Sequence, residues 1–146
     1  MANSFGYFAS ESDDLALLEA VKRVLRTEGV LAMDLTDGEW MKNTFEPRSW
    51  EWIDENHFAC WERSLSADET RLICREIVVH VEEGMISDRF YACRLYSRER
   101  INQLLEKVGL TSIQYHNMAA TVSDHNQDLG MMARRKFLTA SVPAKS

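Results

Sequence analysis

Asn3-Ser4-Phe5-Gly6-Tyr7-Phe8, an amphipathic stretch from Asp13 to Arg26, and then Gly29-Val30-Leu31-Ala32-Met33-Asp34-Leu35 form the succession that decides the fold. Ser10 or Ser12 is placed to cap a helix, since a side-chain oxygen there accepts a backbone N–H that has no partner within the helix. Asp13 and Asp14 complement the positive end of the helix dipole, and Lys22, Arg23 and Arg26 the negative end. Leu17, Leu18, Val21, Val24 and Leu25 recur at helical spacing, so one face is buried. Gly29 stops the helix. Val30 to Leu35 is a short, continuous apolar run, which predicts a strand covered on both faces. Helix, tight turn and buried strand make half of an α/β crossover, and the fold class is α/β.

Beyond this unit the pattern changes. Gly38 to Phe45 predicts a short helix that Pro47 ends. From His57 to Tyr96 the side chains alternate, with turn signals at Ser66-Ala67-Asp68-Glu69 and Glu82-Glu83-Gly84. That predicts a three-stranded antiparallel meander, an insert over about residues 38–96. Ser97 caps a further helix whose Ile101, Leu104, Leu105 and Val108 face inward, and Gly109 closes it. Leu110 to Met118 and Leu129 to Thr139 read as strands joined by a polar loop at Asp124–Asp128, so they pair antiparallel. One domain over residues 1–146 accounts for all of it.

Composition narrows the partners. With 45% hydrophobic and 27% charged residues the chain reads as an ordinary globular protein. A formal net charge of −6 opposes generic nucleic-acid binding, which needs a basic face. No apolar run approaches the roughly 18–20 residues of a membrane span. The N-terminus lacks the basic-then-apolar pattern of a signal peptide. Three cysteines, none in a CxxC pair, read as reduced thiols, and a cytoplasmic location is the expectation.

The order of these pieces resembles the C-terminal half of class I S-adenosylmethionine-dependent methyltransferases, which have a Rossmann-like sheet ending in an antiparallel hairpin. Asn3 to Phe8 with the acidic helix start looks like the loop after the family's fourth strand. Leu25-Arg26-Thr27-Glu28-Gly29-Val30-Leu31 looks like its Leu-Lys-Pro-Gly-Gly approach to strand five, with Thr27-Glu28 in place of Pro-Gly. Phe45-Glu46-Pro47-Arg48-Ser49-Trp50-Glu51-Trp52 followed by Glu62 to Ser66 is similar to an insert that some bacterial small-molecule methyltransferases place after strand five. Tyr96 to Arg100 and Val108-Gly109-Leu110 resemble the last helix and its exit into strand six.

The resemblance implies S-adenosylmethionine as cofactor, a small-molecule substrate and in-line methyl transfer. It also implies that the glycine-rich loop and the acidic strand end that hold the nucleotide lie outside this sequence, which contains no Gly-x-Gly. The expectation is a truncated, partial methyltransferase sheet, inactive without its N-terminal half. Its Val30–Leu35 strand would keep a bare edge that invites pairing with a copy of itself, as a dimer, or with a companion chain. The alternative expectation is a non-catalytic dimerisation or regulatory module of the same descent.

Candidate site residues follow from position and chemistry. Asn3, Ser4 and Phe5 fall where the family meets the cofactor, and Tyr7 and Phe8 where it meets substrate. Trp40, Trp50 and Trp52 offer large faces suited to ligands or interfaces, although packing of the insert explains them as well. Arg63 could anchor a carboxylate, against the plainer reading of a cross-strand charge pair. His57 and His80 are the candidate proton acceptors, and neither belongs to a motif. Cys60, Cys74 and Cys93 fall one on each meander strand at spacings that match no zinc pattern; they read as small buried hydrophobes, and no metal is expected.

Overall fold

The computed structural model describes residues 4–117 and 134–145. Helix α1 spans Glu11–Val24, and Ser10 is its cap, the side chain accepting from the Asp13 amide. Strand β1 runs Val30–Thr36, helix α2 Gly38–Thr44 and strand β2 Arg48–Trp52. Strands β3 (His57–Leu65), β4 (Arg71–His80) and β5 (Gly84–Arg94) follow. Helix α3 (Arg98–Lys107) leads to β6 (Thr111–His116) and β7 (Arg135–Ser141).

The strands form two sheets. One has the order β1-β7-β6 and the other β2-β3-β4-β5, and every pair is antiparallel. The insert is therefore a four-stranded sheet, not a three-stranded meander. The strand missed by the pattern is β2, whose Trp50 pairs with Cys60 and whose Trp52 pairs with Phe58. Its five residues carry alternating side chains of which neither set is buried, so its hydrophobic pattern gives no strand signal. Tight turns at Ser66–Glu69 and Glu82–Gly84 hold as expected, with Gly84 at φ +83.

The first sheet corrects a second expectation. Leu31, Met33 and Leu35 are buried, while Val30 is 58% exposed and Ala32 lies on the same open face. In the described residues the first part of β1 is thus covered on one face only. Val30 and Ala32 open this face, while Asp34, paired with Arg135, and the buried Thr36 close its far end; helices α1 and α3 both lie on the other side. Leu18 from α1, Leu104 and Leu105 from α3, Leu110, and Leu138 from β7 fill the core beneath it. Strand β7 lies between β1 and β6, so among the described residues β1 is an edge strand. The last two strands pair antiparallel; β6 lies within its expected run, β7 extends two residues past Thr139 to Ser141, and residues 118–133, including the Asp124–Asp128 loop and the expected start at Leu129, lie outside the described residues.

Candidate functional site

Three segments converge on Tyr96. Phe5 is 3% exposed, and its ring lies 5.4 Å from that of Tyr96. Gly38, at the start of α2 just past the carboxyl end of β1, packs so closely that an added Cβ would sit 2.7 Å from the Tyr96 backbone nitrogen and oxygen. Tyr96 itself leads into α3. The loop of residues 4–9 is pinned beside this junction. Gly6, at φ +94, accepts from the Arg94 amide at 2.7 Å, and a Cβ there would meet the Arg94 carbonyl at 3.1 Å. Glycine fits because it tolerates both the left-handed backbone and the close approach.

A buried charged pair ties α1 to the same place. Asp14 is fully buried, and its Oδ2 accepts from the Tyr96 hydroxyl at 2.6 Å and from Arg94 Nη1 at 2.8 Å. Arg94 Nη2 also donates to the Ala9 carbonyl at 3.2 Å, so one guanidinium clamps helix and loop. Burial, and the carboxylate it faces, raise the Tyr96 hydroxyl above the usual phenol range. Sequence reading treats Asp13 and Asp14 alike, as dipole-complementing acids; only the fold gives the second a buried partner.

The loop leads onto one face of the four-stranded sheet. Tyr7 packs on Tyr91 at 6.3 Å and hydrogen-bonds with Cys93. Register and alternation put Ser49, Trp61, Arg63, Cys74, Glu76 and Tyr91 on that same inner face. Arg63 is 7% exposed, donates to the Glu46 carbonyl and the Ser49 hydroxyl at 3.1 Å, and lies 5.7 Å from the Trp61 ring. Trp61 Nε1 in turn donates to Glu76, which also pairs with Arg89 at 3.1 Å. Desolvation pushes the Tyr91 phenol up to about 12 and the Cys93 thiol up to about 11, and raises Tyr7 and Cys74 too. At neutral pH these groups are hydrogen-bond donors and acceptors, not phenolate bases or thiolate nucleophiles. The face can orient a ligand; it offers no ready nucleophile.

A thiol-labelling experiment reads out this burial. Cys74 and Cys93 are buried, whereas Cys60 is half-exposed on the opposite face. At pH 8 a thiol with a pKa of about 11 is thiolate in only about a thousandth of molecules. Iodoacetamide should therefore modify Cys60 alone in the native protein and all three cysteines in denaturant, as mass spectrometry would show. Rapid native labelling at Cys93 would contradict the burial. Because Cys60 points away from the other two, the three thiols do not converge.

The remaining sequence candidates are spread out. Ser4 is exposed in the loop; Asn3 lies outside the described residues. Tyr7 and Phe8 are 40% and 48% exposed beside the junction. Trp40 is half-buried against Met41, Leu72, Cys74 and Cys93. Trp50 and Trp52 project from the outer face of the sheet, away from Arg63 and Tyr7. His57 and His80 do meet, ring centroids 4.9 Å apart, with His57 Nδ1 on Asp54 and His80 Nδ1 accepting from the Glu82 and Glu83 amides. They stand at the far end of β3 and β4, six residues from the Arg63–Cys74 row, or about 20 Å along the strands. No local motif marks Tyr91 as a site residue or gives Asp14 and Arg94 to each other and Cys93 to Tyr7; their proximity comes from long-range pairing.

No family model matches the chain. No curated protein matches it. Solved structures do. An S-adenosylmethionine-dependent methyltransferase of Clostridium acetobutylicum ATCC 824 superposes with a TM-score of 0.71 at 16% identity, over 97% of this chain and 56% of its own. The CcbJ methyltransferase of Streptomyces caelestis gives 0.67 at 8% identity, over 98% and 58%. CalS10, an amino pentose methyltransferase of Micromonospora echinaspora involved in calicheamicin biosynthesis and solved with SAM bound, gives 0.57 at 12%, over 96% and 55%. At such identities the likeness is one of fold: the chain has a methyltransferase-like α/β fold and spans little more than half the length of these structures. No helix among the described residues is long and apolar enough to cross a membrane.

Proposed function

We propose that this chain is the substrate-facing, C-terminal portion of a small-molecule S-adenosylmethionine-dependent methyltransferase, which acts when a nucleotide-binding half completes its sheet. The observation that carries this is the extent of the fold likeness, 97% of this chain against 56% of the methyltransferase it superposes on. The position of the Tyr96 junction supports it. Open, mostly parallel α/β sheets bind ligands at the carboxyl ends of their strands, and Tyr96, which both Phe5 and Gly38 meet, lies by the carboxyl end of β1.

S-adenosylmethionine, when bound, supplies an electrophilic methyl group on a sulfonium. Ser4, with Asn3 beside it in sequence, fits a contact with that end of the cofactor; Phe5, being core, holds the loop from beneath. Nothing in the chain matches the family's ribose contact. Tyr7 and Arg63 lie on the face that follows. Arg63, a buried cation with a fixed geometry, would hold an anionic group of the substrate, and the protonated Tyr7 would donate a hydrogen bond. Alignment of donor and acceptor is the chain's contribution to rate. His57 and His80 are too remote from that row to serve as its base. The free cysteines fit a cytoplasmic setting.

A calorimetric titration with S-adenosylmethionine tests the dependence on a second half. The chain alone should give no micromolar binding. A micromolar Kd would overturn that dependence, and the same Kd in a Gly6→Val variant would remove the loop from the site. A second reading, a non-catalytic module, is favoured by the edge position of β1. It would be preferred if a completing chain bound this protein and yet restored neither cofactor binding nor methyl transfer.

A further inference from the structure

Among the described residues, one face of the four-stranded sheet is uncovered. Alternation places Trp50 and Trp52 of β2, Phe58 of β3, Ile77 of β4, and Met85 and Phe90 of β5 on it. Trp50 is 63% exposed, Trp52 48%, Met85 62% and Phe90 69%. The Trp50, Trp52 and Phe58 rings meet edge-on at centroid distances of 5.3 to 6.4 Å, so the aromatic cluster is already ordered. A groove of about 300 Å³ runs past Trp50 and Ile77. Strand β4 is apolar on both faces, with Leu72 beside Ile73 and Val78 beside Val79, a pattern that belongs to strands covered from both sides. Met41 and its neighbours cover one side. An exposed apolar patch of this extent marks an interaction site.

The charges on this face say what kind of partner fits. Arg48 pairs with Glu62 at 3.5 Å, and Arg75 with Asp88 at 2.8 Å. These two pairs cancel, so the aromatic part of the face carries no net charge, while Arg71 and Arg94 lie at its opposite end and the chain as a whole carries −6. A second copy meets no net charge over the aromatic part of this face, and under a two-fold each paired cation can also face the other copy's anion. Size agrees. Four strands about 4.8 Å apart, up to eleven residues long at about 3.3 Å per residue, give a face on the order of 20 by 30 Å. That is about 600 Å² in projection, near the roughly 800 Å² of accessible surface per partner that a standard specific interface buries.

We propose that this face is the interface of a homodimer, with the two sheets packed face to face across a two-fold axis. The interface is distinct from the β1 edge, which belongs to the other sheet, and it does not require bound cofactor. Light scattering on the full chain at micromolar concentration should give twice 16.9 kDa. A Trp50→Ser/Phe90→Asp variant should give 16.9 kDa with an unchanged circular dichroism spectrum, and a Val30→Lys variant, altered at the β1 edge, should stay dimeric. A wild-type monomer at hundreds of micromolar would overturn the proposal. So would a folded Trp50→Ser/Phe90→Asp dimer, or dissociation by Val30→Lys alone. If the double variant fails to fold, dilution of the wild type decides. Tryptophan emission should shift to longer wavelength as the mass halves, and unshifted emission through that transition overturns the assignment to this face.

Discussion

Replacing Asp14 with alanine should lower the unfolding free energy by about 3–5 kcal/mol, the cost of breaking a buried ion pair by removing one partner. Asp14 is fully buried, and Arg94 keeps only 11% of its side chain exposed, so the guanidinium would be left with poor access to water. The Tyr96 hydroxyl loses its acceptor in the same step. For a chain of this size the loss corresponds to roughly 10 °C in Tm. Tyr96→Phe should cost less, about 1.5–3 kcal/mol, since it removes one hydrogen bond to a charged group and leaves the ion pair intact. The two substitutions share a partner and should therefore fall short of additivity in a double-mutant cycle. Asp13→Ala is the internal control. Asp13 is exposed, and its side chain reaches only the Ser10 cap, so its loss should cost less than about 1 kcal/mol. Urea denaturation of the wild type and these four variants measures all of this; an Asp14→Ala cost no larger than that of Asp13→Ala would show that the clamp contributes nothing.

Leu138→Ala should cost about 2–5 kcal/mol, through lost transfer free energy and the cavity left behind. Leu138 is fully buried on β7, the central strand of its sheet, opposite Met33 of β1 and Tyr115 of β6. Helices α1 and α3 pack on this side through Leu18, Leu104 and Leu105, so the cavity would open beneath both. Val30→Ala should change stability by less than about 0.5 kcal/mol, since Val30 is 58% exposed. The contrast tests the one-sided coverage of β1. Comparable losses at Val30 and Leu138 would mean that something covers the outer face of β1 in solution, as a completing chain would.

Both predictions show where the sequence stops being informative. Local rules placed the helices well. Ser10 and Ser97 are the caps, Ile101, Leu104 and Leu105 face inward, and Gly109 closes α3 at φ +81. Those features depend on residues within one or two turns of each other. β2 was invisible because its exposure pattern is set by a neighbouring strand rather than by its own side chains. The same holds for the sidedness of β1: its apolar run fits a strand buried on both faces and also one buried on a single face, and only the helices and β7 choose between them.

The candidate site divides along the same line. The sequence by itself determined which chemistries are present: an acidic chain with no Gly-x-Gly, three unpaired cysteines, and aromatic and arginine-rich strands. It also determined the element order of a partial α/β fold, because periodicity, caps and glycine stops are local and additive. Only the tertiary structure decided that Asp14 meets Arg94 and Tyr96 across 80 and 82 positions of sequence. It alone turned Arg63 and Tyr7 toward one face and Trp50 and Trp52 toward the other, and put the His57–His80 pair at the far end of the first, about 20 Å from Arg63. The physical reason is that a side chain's protonation, burial and partners depend on what is packed against it, and strand pairing brings together groups that no local pattern connects.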